Sequence, residues 1–375
     1  MPTSCGCART KRSSRDLSAG EAAQVSDEQH WRPVREAAED MKRFREARDR
    51  GCAYLLGNQH PDGSLGDPKL GAIEYYKVPA AFQVSGQTSA ANQLCDWIRK
   101  HGMTASGDFG PRPQQGSEYA DLHEEYAYIY YNSWVIIGAH RLGQFDLSQR
   151  GMDFLQDFWD PVSGGFYSSP PERAAHAKQD LWVVSGAGQA ALYTGRLDMA
   201  LGVGRWMRTL MAAQPNYPQQ LYSVYSRAEG LHTEPDPGND IRYVMSRDAQ
   251  RDQFFFHPGI AGGFLARLYQ ATDEAEWLEL AKEYMRFAEG ASDYLFRLLR
   301  AGKVGWAASV LYTLTGEGKY REMAIRVGDN IIGAQTEEGY WSLPGFEALN
   351  NDVTAEMVVW LDEIHQAVGH ETSPV

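Results

Sequence analysis

The sequence has little of what usually places a protein at a glance. Residues 1–24 are small, polar and basic, without the apolar centre of a secretory signal, so a cytoplasmic location is the expectation. No apolar run approaches the length of a membrane span. Cysteine is scarce: four in 375 residues offer no second metal-spaced pair. Cys5 and Cys7 sit in a polar leader and read as idle thiols, whereas Cys52 and Cys95 lie in apolar helical patterns and read as small core residues. Positive charge is also short. The 36 basic side chains face 49 acidic ones, a formal charge of −13, which repels nucleic acid and anionic membrane and removes both as expected partners. A Gly-any-Ser-any-Gly elbow, a phosphate loop and a dinucleotide fingerprint are all missing, so nucleophilic hydrolysis and nicotinamide chemistry are poor readings.

Aromatic residues, by contrast, are plentiful, with 20 Tyr, 14 Phe and 10 Trp. Ring faces bind apolar and cationic groups, so this supply suits a cavity walled with rings; a ring-rich core accounts for it equally well. Residues 1–27 form a polar leader expected to be disordered. Helical spacing of apolar residues follows over 28–56, 80–86, 89–101, 119–141, 187–193 and 199–213. It returns over 259–272, 274–288, 304–315, 319–335 and 351–369. Short Gly-containing turns join these segments, and no convincing series of strands interrupts them. Residues 214–255, rich in Pro, Asp and Gly, resemble a loop-rich insertion that could cover a site.

One unit recurs. Arg50-Gly51-Cys52-Ala53-Tyr54-Leu55-Leu56-Gly57-Asn58-Gln59 ends a helix and runs into Pro61-Asp62-Gly63-Ser64-Leu65. A second copy starts at Arg150-Gly151 and continues through Phe154, Leu155, Trp159 and Phe166. Weaker copies end at Gln214 and at Gln335…Gly339-Tyr340-Trp341. Leu268-Tyr269-Gln270-Ala271-Thr272 and Leu311-Tyr312-Thr313-Leu314-Thr315 hold matching places in successive helical pairs. Repetition of this kind predicts a ring of helical hairpins around one axis: an all-α (α/α)6 toroid spanning residues 28–370 as a single domain.

The repeated motif resembles the QW repeat of squalene and oxidosqualene cyclases. Arg50, Gly51, Tyr54, Leu55, Gln59 and Gly63 match it, and Leu65 replaces the final Trp. In that family the repeat ties the hairpins of an α/α toroid together and does no chemistry. Asp352-Val353-Thr354-Ala355-Glu356 is similar to the Asp-Cys-Thr-Ala-Glu of oxidosqualene cyclases, whose Asp initiates cyclisation. The resemblance therefore implies that Asp352 is an acid, with Val353 in place of the Cys that supports it. The chain has about half the length of those enzymes, enough for one toroid. It also lacks the Asp-any-Asp-Asp acid of bacterial class II cyclases, the Asp-Asp-any-any-Asp metal motif and a prenyltransferase zinc ligand set. A plain structural role competes for Asp352, because Asn351 or Asp352 would cap a helix starting near residue 355.

Other candidates stand at helix entrances. Asp121, His123 and Glu125 head the Tyr-rich segment, and two carboxylates at i and i+4 in an aromatic pocket would raise one pKa toward neutrality. Tyr75, Tyr76 and Lys77 precede Pro79, and His257 follows three Phe and precedes Pro258. Tyr131, Trp134, Tyr193, Trp306 and Trp341 are candidate wall residues. Together these predict a cyclase, isomerase or lyase that works by acid–base chemistry, or pericyclically, without cofactor or metal. Its substrate would be a mostly apolar terpenoid or polyketide intermediate. Asp352 would be the acid, with Asp121, His123 or Glu125 as partner, and Tyr76 and His257 would orient the substrate. The alternative is carbohydrate chemistry, since six-hairpin toroids also host sugar epimerases, glucuronyl hydrolases and polysaccharide lyases, and Asp160-Pro161-Val162-Ser163-Gly164-Gly165-Phe166 resembles a turn of the epimerases. A third reading is a non-catalytic scaffold, whose signature would be a cavity plugged by side chains and no acid of shifted pKa.

Overall fold

The computed structural model describes residues 27–111, 128–169, 174–235, 240–344 and 349–370. Several of its helices are buried on most of their surface, and a helix of that kind is stable only when enclosed. They are α2 (Val78–Val84), α4 (Tyr128–Arg141), α6 (Leu181–Tyr193), α8 (His257–Thr272), α10 (Gly302–Thr315) and α12 (Asn350–Val368). Most residues of α4, α6 and α12 are buried. These helices pack in chain order, and α12 returns to α2 to close an inner ring.

An outer ring alternates with them along the chain: α1 (Asp27–Gly57), α3 (Thr88–Trp97), α5 (Phe145–Gln156), α7 (Leu197–Ala212), α9 (Ala275–Glu289) and α11 (Gly318–Gly333). Each outer helix buries one stripe; in α9 it is Trp277, Ala281, Tyr284, Met285 and Ala288, the i, i+4, i+7 spacing of a one-faced helix. Among the described residues, six inner and six outer helices build an α/α toroid.

The repeated motif closes the outer ring. Gln59, just past α1, donates from Nε2 to Ala90 O of α3 at 3.0 Å and to Gly63 O at 3.3 Å. Gln335, just past α11, donates in the same way to Ala47 O of α1 at 2.9 Å and to Gly339 O at 2.8 Å. Each turn lays a left-handed glycine on the backbone of the next outer helix. A Cβ on Gly63 would stand 2.4 Å from Gln93 O, and one on Gly164 2.3 Å from Gly202 O. Only glycine combines that φ with that approach. A copy that its sequence hides joins Met103 to Phe109 and sets Gly107 against the Arg150 carbonyl of α5. At Gln214 the pattern departs. Its amide bonds Leu210 O and Tyr222 O, and Tyr217 makes the contact with α9 by donating to Tyr284 O at 3.1 Å.

Residues 214–255 hold more regular structure than a loop. With β1 (Gln179–Asp180), the strands β2 (Gln220–Tyr222), β3 (Val224–Ser226), β4 (Gly230–Leu231) and β5 (Val244–Ser246) form two small antiparallel sheets, ordered β1-β3-β4 and β2-β5. The other difference lies at α12. It begins at Asn350, one residue before the expected helical spacing and five before the start that a cap at Asn351 or Asp352 would imply, and neither of them caps it: the cap position is Leu349, with no side-chain bond. Both side chains sit inside the first turn and are engaged elsewhere, Asn351 by Glu74 and Asn58 and Asp352 by Lys77.

Candidate active site

Residues from the starts of the inner helices converge at one end of the toroid. There a cavity of about 290 Å³ opens between the entrances of α2, α6, α8, α10 and α12. Tyr76, Trp182, Phe254 and Phe256 supply rings to its wall, with Leu299, Leu343, Leu349, Val353 and Met357 between them. Trp182 meets Phe256 edge-on at 5.3 Å, and Phe254 stacks on Phe256 at 5.1 Å.

The floor is ionic. Glu356, one helical turn beyond Asp352, accepts from Lys77 Nζ through one carboxylate oxygen and from Lys303 Nζ through the other. Trp360 Nε1 adds a third bond at 3.0 Å. Burial alone would raise the Glu356 pKa, but Lys303 and Lys77 outweigh it and hold the group well below the usual carboxylate range. Lys77 is held up in turn: burial works against its charge, and Asp352 and Glu356 overcome it. The backbone that delivers Lys303 is pressed against α8, where a Cβ on Gly259 would meet Lys303 O at 2.5 Å.

Asp352 is the less committed carboxyl. Lys77 Nζ lies 2.7 Å from its Oδ1, and Lys77 and the Tyr76 hydroxyl both act on the carboxyl as hydrogen-bond donors. Burial pushes its pKa up, Lys77 pulls it down and Glu356 adds to the rise, leaving it above the ordinary Asp value. The 12% of the side chain that stays exposed faces the cavity it lines. Burial thus favours the neutral form of this carboxyl more than in a free Asp, and an ammonium stands beside it.

Glu74 backs this floor. It is buried and accepts from Asn351 Nδ2. Burial raises its pKa to about 7, with Asn351 opposing and Asp352 and Asp67 adding like charge. A carboxyl raised in the native state stabilises the fold fully below its unfolded pKa and loses that contribution as pH rises through the folded value, here from about 4.5 to about 7. Glu74→Gln should therefore gain roughly 2 kcal/mol on the wild type between pH 5 and pH 8 in urea unfolding. A gap that does not change with pH would show that Glu74 ionises normally.

Several expected site residues meet here and others do not. Asp352, Tyr76 and Lys77 line the cavity. Trp134, Trp306 and Tyr131 stand one layer behind: Trp306 stacks on Trp360 at 5.2 Å, Trp134 meets Trp360 edge-on at 5.5 Å and Tyr131 packs on Tyr76 at 4.5 Å. His257 is fully buried under Phe256, with Nδ1 2.8 Å from Phe254 O and Nε2 3.6 Å from Asp180. There it supports the aromatic wall and does not reach the cavity. Tyr75 turns outward to Trp97 and donates to Gly110 O at 2.5 Å. Trp341 is buried in the ring-closing turn, donating to Ile331 O at 2.6 Å. Tyr193 ends α6 and lines a different depression, at the opposite end of the toroid. Asp121, His123 and Glu125 lie outside the described residues.

Residues not singled out from sequence complete the site: Glu356, Lys303, Trp182, Phe254, Phe256, Arg300 and Asp252. The i, i+4 spacing of Asp352 and Glu356 was a readable signal for the first of them. Asp180 sets Trp182 by capping α6, accepting from Trp182 N at 2.8 Å, and is held by Arg242 Nε at 2.9 Å. Among the described residues no group of three or more His, Cys, Asp or Glu side chains is placed to hold a metal, and no helix is long and apolar enough to cross a membrane.

No protein-family model matches the chain, and no curated protein matches it in sequence. Solved structures do. A D-mannose isomerase superposes with a TM-score of 0.63 at 14% identity, over 86% of this chain and 97% of the isomerase. An α-1,6-mannanase from Salegentibacter sp. HEL1_6 gives 0.55 at 13% identity, over 87% and 99% of the two chains. An unsaturated glucuronyl hydrolase specific for heparin gives 0.54 at 11%, over 87% and 97%. Likeness at such identities establishes the α/α toroid. It supports the scaffold half of the cyclase resemblance and leaves the cyclase half without support.

Proposed function

We propose that this protein is an enzyme that transforms a saccharide by acid–base chemistry, with Asp352 as the proton donor. The observation that carries the proposal is the floor of the cavity: a buried carboxyl that lines the open space, one turn from a carboxylate clamped by two lysines. An open cavity with an acid of raised pKa is the opposite of the plugged ring expected of a scaffold. The rings of Tyr76, Trp182, Phe254 and Phe256 give the wall apolar surface for the C–H side of a sugar ring, while Lys77 and Asp352 present polar atoms to its hydroxyls. The structurally similar proteins, named as an isomerase, a mannanase and a glucuronyl hydrolase, support saccharide chemistry over the alternatives.

A second reading keeps a specific observation behind it. Nine of the fifteen lining residues are aromatic or aliphatic, a wall that suits cyclisation of an apolar natural-product chain started by the same acid. The two readings separate on substrate. Incubation with neutral and acidic mono- and oligosaccharides, followed by NMR and mass spectrometry, should show isomerisation or bond cleavage that Asp352→Asn abolishes. Turnover of polyprenyl or polyketide chains alone would overturn the saccharide reading.

A further inference from the structure

The charges around the cavity bear on which saccharide it takes. Three cations line it, Lys77, Lys303 and Arg300, against three carboxyl groups, Asp252, Asp352 and Glu356. At the mouth, Arg300 Nε lies 3.2 Å from Asp252 Oδ2, and half of the Asp252 side chain is in solvent. On the floor, Glu356 answers both lysines with one negative charge. If Asp352 carries its proton, as the proposed function requires, the buried floor keeps one positive charge without an anion. The N-terminal ends of the inner helices point at the same space and add positive potential. A buried net charge is costly unless it is paired.

The donors are also partly unspent. An ammonium has three N–H groups and a guanidinium five. Lys303 uses one on Glu356 and rests 4.9 Å over the Phe256 ring. Arg300 uses Nε on Asp252 and lies 5.4 Å over Phe254, and both arms of its fork are without a hydrogen-bond partner among the described residues. The two residues stand three positions apart at the entrance of α10, at the cavity edge. A planar fork beside an ammonium matches a carboxylate, which takes paired N–H donors and brings the single negative charge that the floor lacks.

We propose that the ligand of this cavity is an acidic saccharide, a uronate, whose carboxylate is held by Arg300 and Lys303 while its ring lies on the aromatic wall. The inference rests on the saccharide reading and sharpens it. Calorimetry with glucuronate, galacturonate and mannuronate and their short oligomers, beside the neutral parents and glucose 6-phosphate, tests it. Uronates should bind at least about tenfold tighter than their neutral parents, as expected for a charge-assisted pair. Arg300→Gln, which leaves the Glu356 cluster intact, should bring the two close to parity. Equal binding of uronate and parent, or tighter binding of the sugar phosphate, would overturn the uronate assignment and leave the saccharide reading standing. If no saccharide binds at all, the saccharide reading itself fails and takes the inference with it.

Discussion

Glu356→Gln should cost about 3–5 kcal/mol of stability at pH 7, the penalty for breaking a buried ion pair by removing one partner. Of the two ammonium groups, each about 4% exposed, Lys77 then keeps its contact with Asp352 and Lys303 loses its one ion pair on the floor. The protein has two ways to relax, and both leave a trace. A lysine can lose its proton, or Asp352 can ionise and turn fully to Lys77, which would pull the Asp352 pKa down from its raised value. Urea unfolding of the variant reads the cost directly. The comparison that matters is with Lys77→Met, Lys303→Met and Glu356→Leu made together. Replacing a whole buried ionic cluster by apolar side chains of similar size is often neutral or stabilising. The triple variant should therefore recover most of the loss, less the bond from Trp360 Nε1. A loss under about 1 kcal/mol in Glu356→Gln would mean that water reaches the lysines and that the cluster is not buried in solution. If the triple variant recovers as expected, the ions are not there to hold the fold, and their cost is best understood as serving the cavity above them.

How much of this was legible in the sequence depends on distance along the chain. The toroid was, because its evidence is local and repeated: Gln59 and Gln335 each close a turn over four residues, and helical spacing recurs between short Gly-containing turns. The hidden copy at Met103 and Phe109 was not, since it keeps the backbone bridge and Gly107 but has lost the Gln. Tyr76 and Lys77 were picked out because they precede an inner helix and Asp352 because of its motif, and all three line the cavity. The clamp on Glu356 was out of reach. It joins residues 279 and 53 positions apart, and no periodicity reports which two entrances face each other across a ring. Tyr193 shows the converse error. It shares the pattern of an inner helix but ends it, and because the inner helices begin at the cavity, a ring at a helix end belongs to the far side. Trp341 was misplaced for a related reason: the motif that carries it is structural, so its large ring fills the turn against Gly51 and not the cavity.

Asp352→Asn should separate chemistry from architecture. The amide is nearly isosteric, Lys77 keeps Glu356, and no helix cap is lost, because Asp352 is not the cap of α12. Stability should change by less than about 1 kcal/mol, because a neutral amide takes the place of a carboxyl whose charged form burial already disfavours. Activity should not survive so well. Removing a general acid costs about 10²–10⁴-fold, and here the loss should fall on kcat with little change in KM, since the cavity wall that binds the ring is untouched. The pH profile gives the sharper test. A donor must be protonated to act, so the wild-type rate should decline as pH rises through the Asp352 pKa, which its burial and Glu356 hold above the ordinary Asp value. In the variant that limb should vanish and the residual rate should be flat across it. Glu74→Gln supplies the control, because Glu74 titrates near about 7 without touching the cavity, and a limb that disappears in Glu74→Gln but persists in Asp352→Asn would move the acid from one carboxyl to the other. A kcat within threefold of wild type in Asp352→Asn would remove Asp352 from the reaction altogether and leave it as one more partner of Lys77.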